Sequence, residues 1–231
     1  MLSRRAGFAG LACLVCSGFF PAARQARASG PMAPTSLTPD QALAKLMAGN
    51  SRFVADNPLS PPIGSGRRHE LASGQAPFAS IVGCADSRVP PETLFGTGLG
   101  EIFTARVAGN TLPAESVGSL AYAVEHLGAP LIMVLGHERC GAVAAAVDVV
   151  TKNAQLPEVL HPMVAPILDA VRAVQGQPGD LLDNAVKENA RRGARALRAN
   201  HEFAERIHQG KLKIVAARYD LDDGKVQLLD A

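Results

Sequence analysis

The sequence predicts an α/β fold: a mostly parallel central β-sheet covered by helices, closed by a C-terminal strand hairpin. Three observations carry this. Short apolar runs of strand length alternate with longer stretches of helical periodicity. The runs are apolar throughout rather than alternating, which suits parallel strands buried on both faces. Residues 211–229 then read strand, turn, strand with no helix between them.

Taken in order, “TPDQALAKLMAGNSRFV” opens a helix, with Thr38 as N-cap, Pro39 at the first helical position and Gln41 closing a capping box. Leu43, Leu46, Met47, Phe53 and Val54 recur at helical spacing. “DNPLSPPIGSGRR” (56–68) is a Pro/Gly loop. “FASIVGCA” (78–85), “EIFTARVAG” (101–109) and “PLIMVLGH” (130–137) are buried strands. Between them “PPETLFG” is a short helix. “ESVGSLAYAVEHLG” (115–128) is a longer one, with Val117, Leu120, Ala121, Val124 and Leu127 on one stripe and Gly128 and Pro130 as stops. “CGAVAAAVDVV” and two stretches over roughly 156–175 and 180–208 are helical, and Asp223-Gly224 marks the turn of the hairpin.

The first 28 residues read as a cleavable export signal. “MLSRR” is a basic start, Ala6 to Phe20 is an apolar stretch too short for a comfortable membrane span, and “ARA” at 26–28 places cleavage after Ala28. Arg4-Arg5 after Ser3 resembles a twin-arginine signal, with Phe8 one place later than that motif has it; the general secretory route is the alternative. A periplasmic or secreted location follows, with no stable membrane anchor. Residues 29–37, “SGPMAPTSL”, form a Pro/Ser linker, and 38–231 a single domain of globular composition, 47% hydrophobic and 19% charged over the chain. The leader holds Arg4, Arg5, Arg24 and Arg27 and no acid. Its loss takes four from the 23 basic residues, leaving 19 against 21 acidic ones. A mature chain at −2 gives no ground for a nucleic-acid partner.

Cys13 and Cys16 leave with the leader, so two cysteines remain, Cys84 and Cys140. In an oxidising compartment such a pair forms a disulfide by default. Its placement suggests otherwise. Ligands gather at the carboxyl ends of parallel strands; Cys84 ends the first core strand, His137 ends the third, and Cys140 follows in “GHERCGAV”. Two thiolates and an imidazole leave the fourth tetrahedral position of zinc free, the pattern of a catalytic site, where bound water ionises near pH 7. A carboxylate beside the metal would tend to occupy that position. In “CADSR”, Arg88 is placed to grip Asp86 bidentately and hold it off, leaving an oxygen to accept the water's hydrogen bond. Inert core thiols, with His137 capping a helix and Asp86–Arg88 a plain strand-end pair, are the alternative.

“CADSRVPPE”, then “RVAGN”, then “GHERCGAV” resemble the β-class carbonic anhydrases, over the chain from the helix at 38 to the hairpin at 229. The resemblance implies a lyase that hydrates CO2 reversibly to bicarbonate by a zinc-hydroxide mechanism. It implies one Zn2+ per subunit on Cys84, His137 and Cys140, with Asp86 and Arg88 as the catalytic dyad. It places a substrate-binding amide at Gln75, nine residues before the first cysteine, and a backbone donor at Gly141. Phe103, Ala108 and Tyr122 fall in its apolar pocket. It also implies a homodimer or higher homo-oligomer in which Gln75 and the aromatic residues reach the metal across the interface. No histidine stands out as proton shuttle: His69, His126, His161, His201 and His208 read as surface or structural.

Some members of the class carry a non-catalytic bicarbonate site of Trp, Arg and Tyr, linked to an inactive state with the aspartate on zinc. Arg106 and Tyr219 resemble two of its residues, but the third position is Ile81 and the chain has no Trp. The open, non-allosteric form is therefore expected. Hydrolysis of carbon disulfide or carbonyl sulfide at the same site is the runner-up, without the pocket-restricting insertion that would favour it. A non-catalytic zinc- or bicarbonate-binding module would need no dyad. A thiol–disulfide protein would need C-x-x-C, whereas these cysteines lie 56 positions apart.

Overall fold

A computed structural model describes residues 32–230. The predicted signal (1–28), the start of the linker and the final residue lie outside the described residues. Five strands form one sheet: β1 (Ala79–Gly83), β2 (Ile102–Arg106), β3 (Leu131–His137), β4 (Lys213–Tyr219) and β5 (Val226–Leu229), in the order β2-β1-β3-β4-β5. The first four run parallel and β5 returns antiparallel to β4, as the alternation of strands and helices requires.

The helices are α1 (Pro39–Val54), α2 (Ser65–Leu71), α3 (Pro91–Leu94), α4 (Ala114–Glu125), α5 (Gly141–Lys152), α6 (His161–Val174), α7 (Leu181–Ala199) and α8 (His201–His208). Strand pleating sends alternate side chains of β3 into different layers. Leu131, Met133 and Leu135 pack with α1 through Ala42 and Leu46, and with Phe78, Ile81 and Phe95. Ile132 and Val134 pack on the opposite face with Leu120 and Val124 of α4, Ala190, Ala194 and Leu197 of α7 and Phe203 of α8. A third cluster, formed by α5, α6 and the start of α7, surrounds Cys84 and Cys140.

α1 begins as its sequence dictates. The Thr38 hydroxyl accepts from the Gln41 amide at 3.2 Å, and the Gln41 side chain accepts from the Thr38 N–H at 2.9 Å. Near its far end the buried Asn50 ties three elements together. Its Nδ2 donates to the carbonyls of Leu94 (3.3 Å) and Gly224 (2.9 Å), and its Oδ1 accepts from Val226 N–H at 2.8 Å. Beside it Gly49 admits the Phe95 carbonyl so closely that a Cβ there would lie 1.9 Å from the oxygen.

Several local expectations shift. α2 rises inside the end of the predicted 56–68 loop. The strands are shorter than their apolar runs, because the backbone beyond Gly83 and Arg106 turns away to build the site. Residues Ala108–Asn110 form a 3-10 turn rather than more strand. The 156–175 stretch yields a 3-10 turn at Glu158–Leu160 before α6. The 180–208 stretch breaks at Asn200, whose side chain caps α8 by accepting from Glu202 N–H at 3.0 Å. The hairpin turn is wider than Asp-Gly alone suggests: Asp220 Oδ1 accepts from the amides of Asp222 and Asp223, winding the loop around one carboxylate. Of the predicted linker, Leu37 packs against the α1-side core. No helix among the described residues is long and apolar enough to cross a membrane.

Candidate metal centre

Strand register places two ligands side by side. Gly83 of β1 is level with Leu135 of β3, so Cys84 and His137, each just beyond that pair, emerge together at the carboxyl edge of the sheet. Arg139 then turns the chain in a left-handed conformation (φ 50°), and Cys140 becomes the N-cap of α5. The Sγ atoms of Cys84 and Cys140 and a ring nitrogen of His137 all lie within 4.8 Å of one another, and all three residues are buried. The sulfurs are 3.9 Å apart, and both cysteines are free, so the disulfide alternative is not what this arrangement holds.

The histidine is prepared for a metal. Its Nδ1 lies 2.9 Å from the Glu138 carbonyl, which can only accept, so the ring proton sits on Nδ1 and the Nε2 lone pair faces the cysteines. Nε2 is fully buried and has no hydrogen-bond partner. A buried, unpartnered imidazole lone pair beside two thiols matches the three-protein-ligand donor set of catalytic zinc. A second group, Glu138, Asp220 and Asp222, brings its oxygens equally close, but those acids are engaged by Arg139 and Arg218 at 2.6–3.5 Å.

The two thiols share their protons unequally. The hydrogen bond with Cys140 lowers the Cys84 thiol pKa against the opposing effect of burial, aided by His137 and the amides of Gly109 and Asp86. Cys140 is pushed up, first by the sulfur it serves and then by burial. The amides of Val143 and Ala142, at the start of α5, oppose this.

Asp86 sits beside the centre, Oδ2 lying 3.9 Å from His137 Nε2. Arg88 grips it with Nε on Oδ1 (3.0 Å) and Nη2 on Oδ2 (2.8 Å), while the Arg88 amide adds a bond to Oδ1 at 2.9 Å. That grip, before any other influence, holds the Asp86 carboxyl well below the usual carboxylate range. Arg106 has a role the sequence did not disclose. Its Nε donates to the Cys84 carbonyl (2.9 Å) and its Nη2 to the Asp86 carbonyl (2.5 Å), clamping the segment that carries ligand and carboxylate. Ile81 and Tyr219 are both buried in the α1-side core.

The other predicted site residues divide. Gly141 opens α5, where the first amides have no intrahelical partner. Ala108 lies in the 3-10 turn whose Gly109 N–H donates to Cys84 Sγ at 3.3 Å. Gln75 is not at the centre of its own chain. It precedes β1, in a groove with Arg68, Leu71, Leu99 and Gly100, whereas Cys84 follows β1. Five strand residues at about 3.3 Å each put roughly 16 Å between those ends. Phe103 lies opposite Ser80, four positions short of Cys84, with its ring 6.2 Å from that of Tyr122, which in turn is 5.2 Å from His126. Tyr122 is 40% exposed, so these aromatics form an outward-facing patch on β2 and α4.

Asn189 escaped the sequence reading altogether. A signal was available: it is a polar residue on the apolar stripe of α7, between Ala185, Val186, Ala190 and Ala194.

Fold and centre together define an α/β metalloenzyme with an open thiolate–imidazole zinc site at the carboxyl edge of a parallel sheet. The profile of the family described as carbonic anhydrase matches residues 79–226. Carbonic anhydrase 2 of Mycobacterium tuberculosis is 38% identical over 193 residues, 83% of this chain and 93% of that protein. The carbonic anhydrase of Mycolicibacterium smegmatis is 36% identical over 195 residues, covering 82% and 93%. Among solved structures, a tetrameric β-carbonic anhydrase from Sordaria macrospora superposes with a TM-score of 0.65 at 24% identity, over 82% of this chain and 95% of that one. The β-carbonic anhydrase CafA of Aspergillus fumigatus gives 0.65 at 25%, over 81% and 90%. The chain belongs to the β-class carbonic anhydrases, zinc lyases that interconvert CO2 and bicarbonate.

Proposed function

We propose that the reversible hydration of CO2 runs at the centre formed by Cys84, His137 and Cys140, with Asp86 and Arg88 as its dyad. The observation that carries this is the fork of Arg88 on Asp86, which holds the carboxylate at the edge of the three-ligand cluster. Cys84, His137 and Cys140 would hold zinc, which when bound would supply Lewis-acid activation of water near neutral pH. Asp86, kept ionised by Arg88, accepts a hydrogen bond from the nucleophile and orients it. Arg88 keeps the carboxylate off the metal, and Arg106 fixes the backbone beneath both. The Gly141 amide at the start of α5 binds a bicarbonate oxygen, helped by the positive end of the helix. Ala108 contributes to the apolar wall on which CO2 rests.

The enzyme takes the open, non-allosteric form. That reading is supported by Arg106 donating to two carbonyls and by Ile81 and Tyr219 packing into the core. Gln75, Phe103 and Tyr122 serve the centre of another subunit, since their own chain carries them toward the opposite end of the strands; a homodimer or larger assembly is the working unit. The leader directs export, by the twin-arginine or the general route, to the periplasm or beyond.

Stopped-flow CO2 hydration on zinc-loaded protein, beside Cys84→Ser and Asp86→Asn variants, tests the site. Wild-type protein with one zinc per chain and no activity would sink the reading, as would full activity in Asp86→Asn. Analytical ultracentrifugation tests the assembly, and an Arg4-Arg5 to Lys-Lys exchange tests the export route.

A further inference from the structure

Asn189, on α7 and 92% buried, has its amide turned toward the metal centre. Nδ2 donates to the Gly109 carbonyl at 2.8 Å, and the Gly109 N–H donates to Cys84 Sγ at 3.3 Å. One residue of the 3-10 turn thus receives a bond from α7 on one side and gives one to a ligand sulfur on the other. That residue sits where only a glycine fits. Gly109 has φ +71°, and a Cβ on it would meet Ile167 Cδ1 at 2.6 Å and the Ala142 Cβ at 3.1 Å, so it is wedged between α6 and α5. Its neighbour Asn110 is also left-handed, at φ 45°. Glycine enters this region freely, whereas the side chain of Asn110 makes it less favourable there, so contacts around the turn have to hold its shape.

We propose that Asn189 is a positioning residue for the metal. By holding the Gly109 carbonyl it fixes the turn so that the Gly109 amide stays aimed at Cys84 Sγ. The sulfur then keeps its ligating orientation and its excess charge is partly shared with a hydrogen-bond donor. Hydrogen bonds to ligand atoms tune both the affinity and the electronic structure of metal sites, and losing one typically costs about 10–100-fold in affinity. The inference rests on the reading of Cys84 as a zinc ligand.

The experiment uses the full mature protein with Asn189→Leu, Asn189→Gln and, as control, Leu197→Ala, which removes core packing from the same helix away from the turn. Two quantities are read: the rate at which a chelator strips zinc, and the sulfur-to-metal charge-transfer absorption of the cobalt(II)-loaded protein. Asn189→Leu is expected to lose zinc about tenfold faster and to shift the charge-transfer band to lower energy, with Leu197→Ala matching the wild type in both. Asn189→Gln, which keeps an amide donor, should fall between. The proposal is overturned if Asn189→Leu behaves as wild type, if Leu197→Ala moves both quantities equally, or if Asn189→Gln is no better than Asn189→Leu. Should Asn189→Leu not fold, Asn189→Ala, smaller and without any donor, carries the same comparison. If Cys84→Ser binds zinc as tightly as wild type, the ligand assignment itself fails. Wild-type behaviour in Asn189→Leu alone removes only the role of Asn189.

Discussion

Arg139 and Asp222, 83 residues apart, join the ligand loop to the C-terminal hairpin: Nη1 and Nη2 of the arginine meet the two carboxylate oxygens at 3.0 and 2.6 Å. The arginine lies between two proposed zinc ligands, His137 and Cys140, and holds a left-handed backbone, φ 50°, that a side chain does not favour. Its pairing compensates for that conformation. Arg139→Ala keeps the unfavourable φ and loses the partner, whereas Arg139→Gly loses the partner but relieves the backbone. In urea, Arg139→Gly is expected to unfold at higher denaturant than Arg139→Ala; the reverse order would show that the backbone carries no strain.

Asn50 is expected to matter for stability and not for chemistry. Its three bonds reach the end of α3 and the β5 side of the hairpin loop, and removal leaves the Leu94 and Gly224 carbonyls and the Val226 amide to be satisfied in the interior. At about 1 kcal/mol per buried bond, Asn50→Ala should lower unfolding stability by about 2–3 kcal/mol. Its kcat for CO2 hydration at 25 °C should stay within twofold of wild type.

The hairpin loop also sets an acid limit. The Arg218 side chain first, then the amides of Asp222 and Asp223, hold Asp220 down to about 2, against the opposing effect of burial. A carboxylate with a lowered native pKa adds stability above its unfolded value, near 4, and loses it as pH falls toward 2. Allowing for solvent around this group, the contribution is about 1 kcal/mol. Asp220→Asn keeps the oxygen that caps the two amides but not the charge. Its stability should therefore lie below wild type at pH 7 and draw close to it as pH falls through 2, as measured by denaturant midpoints across that range.

Removing the metal should expose the cysteine pair to oxidation. With the sulfurs 3.9 Å apart and buried together, a movement of about 2 Å brings them to bonding distance. Chelator-treated protein exposed to diamide is expected to lose two titratable thiols per chain within one molecule. Zinc-loaded protein should keep both. Equal loss in the two samples would mean that zinc does not sit on these sulfurs.

Arg88→Lys tests the fork rather than the charge. Lysine offers a point charge and cannot donate to both oxygens of Asp86 from a planar group. With zinc content unchanged, kcat/KM is expected to fall about 10–100-fold, the range seen when a partner of a metal site is removed. An unimpaired variant would show that the grip on Asp86 is incidental.

The parts of this enzyme that rest on local chemistry were readable in the chain. The Thr38–Gln41 capping box, the three apolar strand runs and the carboxyl-edge positions of Cys84, His137 and Cys140 each follow from residues a few places apart. What stayed hidden depends on partners distant in sequence. Nothing near Arg106 says that it would clamp the Cys84 and Asp86 carbonyls, or near Asn50 that it would bind a loop 174 residues away. The ends of β1 and β2 were overestimated for a related reason: apolar character continues past the last ladder bond, because the turns that follow are buried around the centre.

Gln75 and Cys84, only nine positions apart, stand at opposite ends of β1. If that amide is needed for turnover, catalysis belongs to no single polypeptide, and lone subunits lose activity on dilution with their zinc still in place. Two inactive variants, one lacking Gln75 and the other Cys84, should then restore turnover when mixed, each lending what the other has lost.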